Sequence, residues 1–252
     1  MRLRLRLGVC LAFWILLTVA PTVHAQKFGQ ELKLDHFWIY KVDPVETKAS
    51  VSVQGQFDRD SVSISLPAIN FFATPVSKDG GKLANPMAHL TWYKLNQQVK
   101  ERRRAIEFEN QFGRQEILIG DPVALLVPTE KVETGSRMPE GLDHYKVYRI
   151  LDLGSLPVKR KVTLKDQFGS QEGVDIGKTV FFAVPVMKNH DDRISRINNE
   201  KGHLAIYQIL PRTLHGKKHD TIDQFGKHSL TIGNSEMLAV PTVKLAWKAL
   251  RL

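Results

Sequence analysis

One pattern occurs four times along the chain, and this constrains the fold more than any single motif. The four openings are Asp35-His36-Phe37-Trp38-Ile39-Tyr40-Lys41-Val42, Ala88-His89-Leu90-Thr91-Trp92-Tyr93-Lys94-Leu95, Asp143-His144-Tyr145-Lys146-Val147-Tyr148-Arg149-Ile150 and Gly202-His203-Leu204-Ala205-Ile206-Tyr207-Gln208-Ile209. Each reads His, apolar, two residues, Tyr, polar, aliphatic. Further on, every copy carries Gln-Phe: Gln56-Phe57-Asp58, Gln111-Phe112-Gly113, Gln167-Phe168-Gly169 and Gln224-Phe225-Gly226. Three copies then show Ile-Gly, at Ile119-Gly120, Ile176-Gly177 and Ile232-Gly233, where the first has Ile64-Ser65. Each copy closes on Pro, two residues, Lys: Pro75 and Lys78, Pro128 and Lys131, Pro185 and Lys188, Pro241 and Lys244. Several landmarks recurring in one order mark a repeat architecture.

Copies 1 and 3 share Leu-Asp-His-aromatic, Phe-Phe-Ala and Pro-Val, whereas copies 2 and 4 share a small residue before His-Leu, and Pro-Thr. This a-b-a-b order predicts two tandem domains of about 110 residues, a common domain size. The expected domains are residues 26–135, with copies at 34–80 and 87–132, and residues 136–252, with copies at 142–190 and 202–246. The Thr134-Gly135-Ser136-Arg137-Met138-Pro139-Glu140-Gly141 stretch reads as the linker.

Each copy reads as strands. Val162-Thr163-Leu164-Lys165-Asp166 and Val51-Ser52-Val53-Gln54 alternate apolar and polar residues. Gln-Phe-Gly looks like a turn in which glycine accepts positive φ. Phe181-Phe182-Ala183-Val184 is an apolar run of strand length, as expected where both faces are covered. The proline that follows lacks an N–H and is expected at a strand end or edge. Three to four strands per copy predict an all-β chain of two tandem small barrel or sandwich domains. Residues 243–252 read as a short terminal helix. Within the opening strand, period two puts His144, Lys146, Tyr148 and Ile150 on one face. His and Tyr of one copy lie too far apart along the strand to touch, so their partners should come from other copies.

The first 25 residues read as an export signal, with cleavage expected after Ala25. Arg2, Arg4 and Arg6 precede an apolar run over residues 7–20, Pro21 breaks it, and Val23-His24-Ala25 offers small residues for a peptidase. The run is shorter than the ~20 apolar residues a spanning helix needs, so no transmembrane span is expected after cleavage. Cleavage removes the single cysteine, Cys10, and three arginines from a chain of net charge +10. A secreted or periplasmic chain without cysteine must hold together by its core alone.

The opening motif, the Gln-Phe-Gly turn and the Pro-Val-x-Lys close resemble a repeat domain of secreted bacterial proteins, a family with no assigned function. The resemblance covers about residues 34 to 245 and is clearest at Asp35 to Val42 and at Asp143 to Lys188. Some members of that family place cysteines in the opening and closing strands. Here Ile39, Val147, Ala73 and Ala183 stand in that neighbourhood, so no disulfide or metal role of such cysteines carries over. The resemblance implies a secreted β domain and no substrate.

Residues repeated in every copy usually build the unit, since a catalytic site seldom occurs four times. His36, His89, His144 and His203, Tyr40, Tyr93, Tyr148 and Tyr207, and Gln56, Gln111, Gln167 and Gln224 are therefore expected to be structural. The same holds for the closing prolines and for Lys78, Lys131, Lys188 and Lys244, read as caps on exposed strand ends. The alternative for the histidines is a metal or proton site between copies, but zinc wants three or four converging ligands and each pair of copies supplies two histidines and an aspartate. No nucleophile elbow, phosphate loop or zinc helix is present, so neither catalysis nor a cofactor is expected. The runner-up is a hydrolase of a surface polymer using His with Tyr or Asp. Basic runs fall at one place in copies 2, 3 and 4: Lys100, Arg102, Arg103 and Arg104; Lys159, Arg160 and Lys161; Lys217 and Lys218. They predict a positive surface for an anionic polysaccharide or other envelope polymer. They lack interleaved aromatic residues, so no specific nucleic-acid recognition is expected. The overall expectation is a secreted binding or structural module that is not an enzyme.

Overall fold

The computed structural model describes residues 31–250 apart from residues 97–99, 134, 152–157, 192 and 215. The expected leader and its cleavage site lie outside the described residues. Copy 1 forms strands β1 (His36–Gly55) and β2 (Val62–Lys78), and copy 2 forms β3 (His89–Lys94), β4 (Arg104–Asn110) and β5 (Gly113–Lys131). Copy 3 forms β6 (His144–Ile150), β7 (Arg160–Asp166) and β8 (Gly169–His190), followed by the short β9 (Arg193–Ser195). Copy 4 forms β10 (His203–Arg212), β11 (Lys217–Asp223) and β12 (Gly226–Ala249).

The pattern in each copy is an opening strand, a middle strand, the Gln-Phe turn and a long closing strand. In copy 1 the first two merge into β1. Opening and closing strands alternate around a closed antiparallel ring: β1, β2, β3, β5, β6, β8, β10, β12 and back to β1. Eight strands enclose an interior that side chains fill. One apolar cluster draws on all eight, with Phe37, Ile39, Leu90, Trp92, Val147 and Leu204 among its members. Small residues on closing strands fit between large ones on opening strands. Ala183 lies between Val147 and Leu204, and Ala239 between Ile206 and Phe37. Ile39 opposes Ala73 and Val147 opposes Ala183, so the positions compared with family cysteines face each other in pairs.

The middle strand and the first half of the closing strand form a hairpin arm that leaves the ring. Each arm lies against the closing strand of the copy two places on. The end of β1 pairs with β8, β7 with β2, β4 with β12, and β11 with β5. Copies 1 and 3 thus exchange arms, as do copies 2 and 4. The arms cover the outer face of the ring, where Trp38, Tyr40, Tyr93, Tyr148 and Tyr207 join Ile64, Phe108, Leu164 and Leu230 of the arms in a second, larger cluster.

This overturns the expectation of two tandem barrels divided at residues 135 and 136. The sheet does not divide there, because β5 pairs with β6 across that point and every arm pairs with the opposite half of the chain. The a-b-a-b order instead records which copies exchange arms. The expected terminal helix is also corrected: β12 continues to Ala249 because β4 offers its free edge, from Val243 opposite Glu109 to Ala249 opposite Arg104. The closing prolines sit within strands rather than at their ends. Each faces its own opening strand, as Pro185 faces Tyr145, while the strand on the other flank has not begun at that level. The proline is therefore at a local edge, which its missing N–H tolerates.

Ile-Gly marks the bend where a closing strand passes from arm to ring. Ladder irregularities fall there, between Ile119 and Pro122 and between Tyr207 and Ile209, and such bulges bend a strand. A Cβ on Gly177 would lie 2.9 Å from the backbone oxygen of Gln208, and one on Gly233 would lie 3.2 Å from that of Lys41.

Candidate functional site

The arm tips bring the repeated residues together at one end of the ring. Each turn glutamine reaches the histidine of the preceding copy. Gln111 meets His36 at 2.8 Å, Gln167 meets His89 at 3.2 Å, and Gln224 meets His144 at 3.0 Å. Gln56 closes the cycle on His203 at 2.7 Å. At His89 and His203 the other ring nitrogen, Nδ1, lies 3.0 Å from the carbonyls of Met87 and Lys201. Both ring nitrogens are then engaged: Nδ1–H donates to the carbonyl and Nε2 accepts from the glutamine amide. Burial holds all four rings neutral, with the pKa of His36 pushed down to about 3 and those of His89, His144 and His203 to about 4. Lys131 donates to Gln167 at 2.7 Å and Lys188 donates to Gln224. Lys244 lies over the Phe57 ring at 5.7 Å. Lys131 and Lys188 are buried rather than caps on exposed strand ends; Lys78 and Lys131 end β2 and β5, whereas β8 and β12 run on past Lys188 and Lys244.

The tyrosines meet the turn of the copy two places away. Tyr40 donates to Asp166 at 2.8 Å and Tyr93 to Asp223 at 2.7 Å, while Tyr207 accepts from Asn110 at 2.9 Å. Each ring also packs edge-on against a turn phenylalanine, Tyr40 on Phe168, Tyr93 on Phe225, Tyr207 on Phe112 and Tyr148 on Phe57. Asn110, Asp166 and Asp223 each accept the N–H two residues on, which shapes the Gln-Phe turn. Burial and the neighbouring carboxylates push the phenols of Tyr40 and Tyr93 far above their usual range, which leaves them hydrogen-bond donors. Sequence reasoning missed these three residues, although Asp/Asn-Gln-Phe-Gly recurs in copies 2, 3 and 4. It also missed a second role of the opening aspartates. Asp35 accepts the N–H groups of Ala84 and Asn85, and Asp143 those of Asn198 and Asn199, tying down the loops between copies.

The fourth station differs. Copy 1 has Gly55 where the others carry Asp or Asn, and Asp58 where they carry glycine. A side chain at Gly55 would crowd Val186, whose Cγ1 would lie 2.9 Å from the new Cβ. Lys146 of copy 3 fills the space. Its Nζ donates to both oxygens of Asp58, at 2.7 and 2.8 Å, and to Glu101 at 2.8 Å. Arg104 holds the other Glu101 oxygen at 3.0 Å and lies over the Phe57 ring. Tyr148 also bonds Glu101, and burial followed by the Glu101 and Asp58 charges raises its pKa.

The opposite end of the ring is basic. Lys41, Lys94, Arg149 and Gln208 follow the alternation of the interior face but are exposed, so they ring the mouth. The three basic runs lie at this same level. Lys217 pairs with Ile232, which pairs with Val42; Arg104 pairs with Ile119, which pairs with Ile150; Arg160 pairs with Ile176, which pairs with Ile209. Lys100, Arg102, Arg103, Lys159, Arg160, Lys161, Lys217 and Lys218 are exposed, but Arg104 is buried on Glu101 and leaves the patch. An open pocket of about 410 Å³ lies beside the mouth, with Arg149, Thr179, Phe181, Gln208 and Met237 in its wall. No group of three or more His, Cys, Asp or Glu placed to hold a metal ion occurs among the described residues.

Fold and stations together define a class: a closed eight-stranded ring of four repeats whose turns lock one another. A family model described as a repeat of unknown function (DUF7450) matches residues 89–241, and the chain belongs to that family. Comparison with curated proteins and with solved structures found no match.

Proposed function

We propose that the chain is an exported, non-enzymatic binding module of the bacterial envelope or exterior, which takes an anionic polymer at the basic end of the ring. The supporting observation is convergence. Basic runs far apart in sequence meet the level of Lys41, Lys94 and Arg149 through the strand register. A cluster of cations at one end attracts a polyanion without sequence or sugar specificity. The repeated His and Tyr have no part in this reading, since they lie at or near the other end of the arms and bond the turn residues of other copies. No helix among the described residues is long and apolar enough to cross a membrane.

Retention on a heparin column tests the reading. Arg102 and Arg103→Glu combined with Lys217 and Lys218→Glu should elute at clearly lower salt. Lys82 and Lys201→Glu, at the histidine end, removes charge from the other side and should matter much less. Equal loss of retention per charge in both sets would refute a localised site and leave only net charge.

A further inference from the structure

We infer that Lys146 and Asp58 are built to condense into an isopeptide bond, with Glu101 as the catalytic carboxylate. Three observations carry this. First, the Lys146 Nζ touches both Asp58 oxygens, at 2.7 and 2.8 Å, which places it in contact with the carboxyl carbon between them. Proximity of that kind, held by the fold, replaces a bimolecular encounter. Second, Glu101 lies 2.8 Å from the same nitrogen and is itself fixed by Arg104, so a proton acceptor stands at the reacting atom. Third, the side chains of Lys146, Asp58 and Glu101 are 1%, 4% and 10% exposed. Burial there excludes the water that would reverse an amide.

The repeat supplies independent support, because the pattern breaks at these positions together. Asp58 stands where copies 2, 3 and 4 have the turn glycines Gly113, Gly169 and Gly226, and Gly55 stands where they have Asn110, Asp166 and Asp223. Lys146 stands where the other copies have Trp38, Thr91 and Ala205. An ordinary station needs only Tyr on Asp, as at Tyr40 and Tyr93. This one keeps its tyrosine, Tyr148, on Glu101 and adds an amine and a second carboxyl.

The step balances without oxidant or reductant. Lys146 passes one proton to Asp58, leaving a neutral amine and a carboxylic acid. Rotation of the acid about its Cβ–Cγ bond presents a face to Nζ, which attacks Cγ. Glu101 takes the second Nζ proton and returns it to the departing hydroxyl. The Nζ–Cγ bond forms, the Cγ–OH bond breaks, and one water leaves. The product ties the arm tip of copy 1 to the opening strand of copy 3, a loop closed across 88 positions. That role suits a fold whose described residues contain no cysteine.

Intact-mass measurement of the purified, folded chain decides the matter. The wild type should weigh one water less than its sequence, and its peptide map should contain a branched peptide joining Asp58 to Lys146. Glu101→Gln, close in shape, should fold with the full linear mass, as should Lys146→Arg. Full linear mass in the folded wild type would overturn the inference, whatever the variants do. So would a water loss that maps to any other residue.

Discussion

Four neutral histidines, three buried and His36 half-buried, make the fold acid-labile, and the size of the effect follows from their desolvation. In the unfolded chain each ring titrates near 6.5, whereas in the fold desolvation pushes His36 to about 3 and the other three to about 4. Between those values the unfolded state binds more protons than the folded state. Stability is therefore fully present above the unfolded pKa and falls as pH drops below it. Each ring contributes a slope of about 1.4 kcal/mol per pH unit in that window. Four rings together remove roughly 8 kcal/mol between pH 7.5 and pH 5. Asp35 and Asp166 oppose this, because burial raises their pKa and the folded state gains protons on the acid side. They are two against four, so the sign stands. A domain is stable by about 5–15 kcal/mol, so most of the margin should be gone near pH 5. Urea unfolding followed by the fluorescence of Trp38 and Trp92, both buried, measures the slope directly. A stability that stays level from pH 7.5 to pH 5 would refute the reasoning.

Three further substitutions probe separate parts of the account. Gly177→Ala places a methyl group against the Gln208 backbone oxygen and should cost about 1–3 kcal/mol by overpacking, seen as a lower denaturation midpoint; an unchanged midpoint would show the strands can part. Tyr40→Phe removes one of the donors to half-buried Asp166 and should cost about 1–2 kcal/mol, and a neutral result would mean the carboxyl finds another partner. Trp92→Ala empties part of the interior between Phe71 and Phe181 and should cost about 3–5 kcal/mol in urea unfolding. A loss below 1 kcal/mol would contradict the packed ring.

Local chemistry was legible in the sequence and long-range closure was not. The repeat and the strand character of each landmark follow from residue types at fixed spacing. Period two also showed that His and Tyr of one copy need partners from elsewhere. It did not show which copy supplies them, because that depends on how strands order around the ring. Gln56 reaching His203 is the clearest instance, since only a closed ring brings the first turn to the last opening strand. The a-b-a-b order invited two domains because neighbours in sequence are the default partners; arm exchange makes copies 1 and 3 partners instead. The Asp58 station was visible as a departure from Gln-Phe-Gly, but Lys146 and Glu101 join it only in three dimensions. Residues 243–252 read as a helix because no local signal announces that the edge of β4 is waiting for Val243 to Ala249.

Arm exchange is the central claim, and cutting the chain at the old boundary tests it most directly. Residues 31–135 and 136–250 would be expressed separately and together, and examined for cooperative unfolding and oligomeric state. Each half lacks the closing strands that its own arms cover, so neither should fold as a monomer. Mixed, the two should reconstitute one folded heterodimer. A half that folds alone as a cooperative monomer would contradict the account and restore two independent domains.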